Sequence, residues 1–480
     1  MALALIVAPL AFALLAFLVP SERIRIWCVP GGAATHLGLV LWVLHRGEAG
    51  DPGAWLLLDP LGKLMLGFAS VLFFICSIYV PGYLALRRDR PNRVFVSCLL
   101  LFHAMLTLIT LSQHLGLMWV AIEATTLASA PLLYFNKTPR SLEATWKYLL
   151  VGSVGIALAL LGTFFLAYAG LRAGHHPSLL LANLVRDARQ LSPPWLHAAF
   201  IVLFVGYGTK MGLAPMHTWK PDAYGEAPGV VGALLAGGLT SAAFMAILRF
   251  YRICVAAEDG AFARSLMVTM GLLSMAVAGV FMARQRDFKR MLAYSSVEHM
   301  GILVLGIGLG GAGVFGSLLH MVNNGFAKGV LFLSAANIHR AFGSKVTNDV
   351  SGALQRVPVS GAMFLAGFFA ITGSPPFGPF ISEFTILNAA FSNGRYVVGG
   401  MFLLFLAIVF VGMGTTVLSV VFGKPRTVEG TGELANGFLT IAPMAACLSI
   451  VLLLGLYVPA PLDRLLREVA ASFDGTQVVP

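Results

Sequence analysis

The chain has 480 residues, 58% of them hydrophobic and only 11% charged. A soluble domain carries about 25% charged residues, so this composition excludes a water-soluble enzyme and points to a polytopic membrane protein with length for about a dozen or more spans of ~20 residues. The formal charge of +11 is the lysine and arginine excess of cytoplasmic loops, not a nucleic-acid surface, and five scattered cysteines without a CxxC pair argue against an iron–sulfur or zinc site. Met1 to Pro20 is apolar and is followed, not preceded, by Arg23 and Arg25. A signal peptide has the opposite order, so this stretch reads as a first span with its N-terminus outside.

Further spans are expected near 26–45, 59–86, 93–112, 115–135, 142–171, 195–218, 228–252, 264–284, 292–311, 314–340, 357–393 (broken), 397–423 and 437–458, about fourteen in all. Loops after odd-numbered spans, which include Arg87, Arg88, Arg90 and Arg93, then Lys220, then Arg284, Arg286, Lys289 and Arg290, and finally Lys424 and Arg426, hold more than twice the basic residues of the even loops. The positive-inside rule then places the odd loops in the cytoplasm and both termini outside. Gly310-Gly311-Ala312-Gly313 reads as a tight turn between helices, and no glycine-rich phosphate loop follows a strand pattern. His175-His176 reads as a solvated loop, not a metal site. No cofactor is expected.

Ionisable residues inside the spans are few: Lys63, Glu123, Lys147, Lys210, Arg249, Glu298, His299, His320, Lys328 and Glu383. Such groups in a bilayer mark ion and proton paths or pair with one another. Arg249 lies near a helix end and reads as a snorkelling side chain. Lys147 lies four residues after Glu143, the spacing of an interfacial salt bridge. Lys210 is different. It lies well inside span seven, and Pro215, five residues on, breaks the helix and strands the Met211 carbonyl. Lipid cannot satisfy that group, so this backbone must be buried in protein or line a wet cavity. His217 follows the break. Glu123 is mid-span and needs a partner, a proton or water. His320, Asn324 and Lys328, at i, i+4 and i+8, form a slowly winding polar ladder rising ~12 Å. Pro375, Pro376 and Pro379 precede Glu383 and cannot continue a straight helix.

Breaks in spans seven and twelve are five helices apart, an odd number, so equivalent helices run in opposite directions. The fold class expected is therefore an all-α membrane protein of about fourteen helices with two inverted five-helix repeats. The domains expected are an N-terminal three-helix segment (1–92), a first repeat (93–252, spans four to eight), a second repeat (264–423, spans nine to thirteen) and a last span with a short tail (437–480). Paired broken helices in two halves point to the conducting site.

The run around Lys210, the segment from Tyr294 through Glu298 and His299, the span from His320 to Lys328 and the Pro375–Glu383 break together resemble the antiporter-like membrane subunits of respiratory complex I, of Mrp-type cation/proton antiporters and of membrane-bound group 4 nickel–iron hydrogenases. The resemblance covers nearly the whole chain. The wording from Trp119 to Leu132 and from Thr138 to Tyr148 looks most like the hydrogenase-4 component F branch. It implies a proton pathway through Glu123, Lys210, His299, His320, Lys328 and Glu383, with half-channels to either face. One departure stands out: many relatives carry a bridging lysine in span eight, eight residues before the arginine of Leu248-Arg249-Phe250, and here that position is Ser241. The link would then use water, Ser241 and Thr240. The tail also lacks the long lateral helix of the most distal complex I subunit.

The function expected is proton translocation by a subunit of a redox-driven complex in the inner membrane of a prokaryote. Its partners would be other membrane subunits, a peripheral redox module and the lipid bilayer. An ionised Glu123 would hold a proton on Lys210; drawing it away would release that proton toward His320 and Lys328, and Glu383 would pass it outward. The alternatives are a sodium or potassium antiporter in which Glu123 and Glu383 bind the cation, a non-conducting assembly scaffold, and a bicarbonate or carbon dioxide uptake subunit with a zinc-bearing partner.

Overall fold

A bilayer offers no hydrogen bonds to backbone groups, so a chain this apolar must satisfy them within helices. The computed structural model describes residues 2–47, 54–174, 178–424 and 437–473. Its described elements are all helical, and the β-pairing among them is limited to isolated bridges such as Leu56 with Ser112. In chain order the helices are α1 (Ala2–Leu18), α2 (Cys28–Arg46), α3 (Pro60–Ala85), α4 (Arg93–Leu111), α5 (Leu115–Leu133), α6 (Pro139–Arg172) and α7, in two halves (Pro193–Met211 and Trp219–Glu226). They continue as α8 (Gly229–Ala256), α9 (Gly260–Met282), α10 (Phe288–Leu309), α11 (Ala312–Phe342) and α12, again in two halves (Pro358–Ile371 and Gly378–Ser392). Last come α13 (Tyr396–Val421), α14 (Phe438–Leu456) and a short α15 (Ala460–Ala471).

Each of the fourteen expected spans therefore finds a helix, and the protein is an all-α polytopic membrane protein. Ten described helices are long and apolar enough to cross a membrane on these criteria alone. Among the helices outside that set are α7 and α11, which carry Lys210 and the His320–Lys328 ladder. The centre of the bundle is α8, whose spanning window is 100% buried, with α10 at 94%; α13 and α14 lie at the periphery.

Local sequence sets the helix starts. Asp59 caps α3 by accepting from the Gly62 N–H at 3.1 Å, with Pro60 in the first turn, where its missing N–H costs nothing. Thr138 and Ser141 cap α6 reciprocally. Asp287 accepts from the N–H groups of Lys289 and Arg290 at the start of α10. Small residues set the packing, as expected where lipid leaves little hydrophobic drive between helices. A Cβ on Gly206 of α7 would lie 2.6 Å from the Ala159 nitrogen of α6. On α9 and α10, a Cβ on either Gly271 or Gly301 would lie 2.7 Å from the other's carbonyl oxygen.

Four expectations are corrected. Span seven does not end at 218: the chain unwinds after Met211 and is helical again from Trp219 to Glu226, because the break at Pro215 is followed by a second half-helix that packs inward. Lys220, counted as a loop residue, is consequently fully buried. Pro379 does not break α12. It sits in the first turn of the second half, while Pro375 and Pro376 lie in the unwound stretch. Arg249 does not snorkel. It is 1% exposed and donates to Asp59 Oδ1 at 3.3 Å and to the Thr110 carbonyl at 3.0 Å. The short tail carries α15, which buries Leu466, Val469 and Ala470 and packs against α3 and α11. The Gly310-Gly311 turn is as expected, with both residues at positive φ, and Lys147 does pair with Glu143, at 2.6 Å. His175, His176 and Arg426 lie outside the described residues.

Candidate functional site

The two helix breaks share a pattern. After α7's first half, Gly212 takes φ +81° and the Ala214–Pro215 bond is cis. In α12, Gly373 takes φ +66° and the Pro375–Pro376 bond is cis. In each case a left-handed glycine, the residue type that adopts this backbone without steric cost, stands three residues before the cis proline.

Lys210 sits at the end of α7's first half, two residues before Gly212, fully buried. Its Nζ has no hydrogen-bond partner in the protein and lies 4.7 Å from the centre of the Tyr148 ring of α6, a cation–π contact. Glu123, on α5, is half-buried and within electrostatic reach of Lys210 but not ion-paired with it. Its carboxylate accepts from Thr126 Oγ1 at 3.1 Å and Ser153 Oγ at 3.0 Å. Tyr148 lies between these elements, its hydroxyl 2.7 Å from Ser129 Oγ of α5.

Beyond the break the polar row continues through α10. Lys328 of α11 is fully buried and donates to Ser295 Oγ at 2.7 Å and to the Leu292 carbonyl at 3.3 Å. Glu298, one turn along α10, faces Lys328 electrostatically and lies 3.9 Å from His299 Nε2. The other nitrogen of His299, Nδ1, is 2.9 Å from His320 Nε2, and His320 Nδ1 is 2.9 Å from Ser382 Oγ. Glu383 follows Ser382 on the second half of α12; its Oε1 is buried without a partner in the protein. The ladder on α11 thus works sideways, not along its own axis: His320 bonds to α10 and α12, and Lys328 to α10. Asn324 between them is fully buried, with neither amide atom bonded to protein. Buried polar atoms of this kind are sites where ordered water is normally bound.

Two expected members stand apart. The Ser241 hydroxyl is buried on α8 beside the π-helical turn Leu235–Leu239 and makes no hydrogen bond in the protein, while Thr240 Oγ1 is spent on the Ala236 carbonyl. His217 lies in the α7 break beside the stacked rings of Phe281 and Tyr294, 6.3 and 6.2 Å from their centres, and its Nδ1 is unpartnered. Sequence reasoning missed Lys220, Ser295, Ser296, Ser382 and Tyr148. Lys220-Pro221-Asp222 has the composition of a loop, and the hydroxyls carry no charge to flag them. It also missed a second buried pair, His36 of α2 and His103 of α4, 3.0 Å apart and off this row. Among the described residues, donor atoms of His299, His320 and Glu383 all lie within 4.8 Å of one another, a donor set of metal-binding type.

Fold and site together define an antiporter-like membrane subunit: a helical bundle with two broken helices and a row of titratable groups between them. Residues 112–411 match the family described as NADH:quinone oxidoreductase/Mrp antiporter, TM. A hydrogenase-4 component F homolog of Methylacidiphilum infernorum is 34% identical over 95% of this chain and 96% of its own length. NADH-quinone oxidoreductase subunit N of Desulforudis audaxviator is 29% identical over 74% of this chain and 72% of its own. Among solved structures, a chain of an archaeal membrane-bound sulfane sulfur reductase superposes with a TM-score of 0.86 at 21% identity, covering 98% of this chain and 97% of that one. The chain belongs to the NADH:quinone oxidoreductase/Mrp antiporter transmembrane family.

Proposed function

We propose that this chain carries protons across the membrane as a non-redox subunit of a redox-driven complex, of the hydrogenase-4 or complex I kind, with electron transfer handled by partner subunits. The observation that carries this reading is the lateral series of buried titratable groups from Glu123 through Lys210 to Lys328, Glu298, His299, His320 and Glu383, on α5, α7, α10, α11 and α12. Neighbouring members of such a series influence each other's charge, so a change at one end is felt at the next. Glu123, half-buried and held by two hydroxyls, sets the charge seen by Lys210. Two inverted repeats, residues 93–252 and 264–423, are supported by the shared pattern at the two breaks, where a positive-φ glycine (Gly212, Gly373) precedes a proline by three residues between two half-helices. Both termini lie outside the cytoplasm in this reading, which the basic residues of the odd loops support.

Vesicles carrying the intact complex test it. Glu123→Gln and Lys210→Ala are each expected to abolish proton uptake per electron transferred while the complex stays assembled; wild-type translocation in either refutes the assignment. A second reading, monovalent cation/proton exchange, is favoured by one observation: the buried Glu383 Oε1, an oxygen donor with no partner in the protein. Transport that requires added sodium or potassium at constant redox rate selects it.

A further inference from the structure

Lys220 is the second residue of α7's second half and is fully buried. Its Nζ donates to Ser296 Oγ at 3.0 Å. The adjacent residue, Ser295, accepts from Lys328 Nζ at 2.7 Å. Two buried lysines from different helices are thus each held by one of two consecutive serines on α10. On its other side Lys220 lies along the break itself: a Cβ on Gly212 would be 2.8 Å from the Lys220 Nζ, and Gly212 is two residues from Lys210. The Tyr224 ring centre is 5.7 Å from the same nitrogen. Among the described residues no carboxylate lies within ion-pair distance of Lys220, so no anion fixes a proton on it. A permanently charged ammonium buried without such a partner is costly, which argues against a salt-bridge role in the fold.

We propose that Lys220 is a proton-carrying residue that links Lys210 to Lys328 and fills the bridging role left vacant by Ser241 on α8. The inference rests on the proton-translocation reading above. In the step, the neutral Lys220 amine takes a proton from the Lys210 side and becomes an ammonium. It then passes a proton to the neutral Lys328 amine across the hydroxyls of Ser296 and Ser295, each of which accepts one proton as it releases another. Lys220 returns to the amine and Lys328 becomes the ammonium. The two lysines are within electrostatic reach, so charge on one disfavours charge on the other, which keeps the proton moving.

The test uses the assembled complex in inverted membrane vesicles, with electron transfer and dye-reported proton uptake recorded together. Lys220→Met keeps the length and apolar stem but cannot carry a proton; Lys220→Arg keeps the charge but does not release it. Both are expected to cut proton uptake per electron at least tenfold. Full uptake in Lys220→Met, which would make the residue packing only, or in Lys220→Arg, which would make it a fixed charge, overturns the proposal. If Lys220→Met does not assemble, Ser296→Ala decides: a several-fold loss supports the relay and unchanged uptake overturns it. Lys210→Met is run alongside. If it is inactive while Lys220→Met translocates normally, only this inference fails; if Lys210→Met also translocates normally, the underlying functional reading fails.

Discussion

His299 Nδ1 and His320 Nε2 stand 2.9 Å apart, so in the neutral pair one ring donates and the other accepts. With His320 Nδ1 on Ser382 Oγ, the three residues form a through-bonded link from α10 to α12. A proton crossing it must exchange the roles of both ring nitrogens. His320→Asn can retain a hydrogen bond but cannot relay a proton between two ring nitrogens. It is expected to lower proton uptake per electron at least tenfold in vesicles, and His320→Ala to do the same. Unchanged uptake in either would remove this link from the route.

The Tyr148 ring is the contact that the Lys210 ammonium makes in place of a hydrogen bond. Such a contact is worth about 0.5–2 kcal/mol. Tyr148→Leu should slow translocation several-fold by leaving the lysine unanchored. Tyr148→Phe keeps the ring, loses the hydroxyl's interactions with Ser129 and Thr126, and should stay near the wild-type rate. Rates measured side by side check the order: Phe above Leu, with Lys210→Ala lowest.

Arg249 joins α8 to the start of α3 and the end of α4 through Asp59 and two backbone carbonyls. Removing one partner of a buried pair costs about 3–5 kcal/mol. Arg249→Ala should therefore lower the melting temperature of the detergent-solubilised complex and reduce its yield. Asp59→Asn should be milder, because the amide oxygen can still cap α3. These are effects on stability, so the translocation per electron of whatever complex survives should be unchanged.

Gly206 meets the Ala159 backbone at 2.6 Å from where a Cβ would stand. Gly206→Val must push α6 from α7 and should cost about 1–3 kcal/mol. Because Lys210 lies one turn further on, the wedge also displaces its ammonium from the Tyr148 ring. The expected result is less subunit in the membrane and a lower translocation rate per assembled complex, read by immunoblot and vesicle assay together.

The span pattern was legible from hydropathy alone, since each run long enough to cross the membrane had to become a helix. The two breaks were legible from proline, and Lys210, Glu123, Lys328 and Glu383 from the cost of placing charge in an apolar run. What could not be read were the relations between helices. Lys220 looked like a loop residue because Pro221 and Asp222 follow it, and only the return of α7 after its break carries it inside. Arg249 looked peripheral because its distance from the helix end is short, but Asp59, 190 residues away in sequence, draws it inward. Ser295, Ser296 and Ser382 are ordinary serines until a partner helix brings a lysine or a histidine to each.

Seven residues, Gly212 to Thr218, separate the halves of α7. Lys210 stands just before them and Lys220 just after, so both amines hang from the two ends of one unwound segment. A change in the length of that segment would change the separation of the two amines. The break thus sets how far the Lys210 end of α7 stands from the Lys220 end.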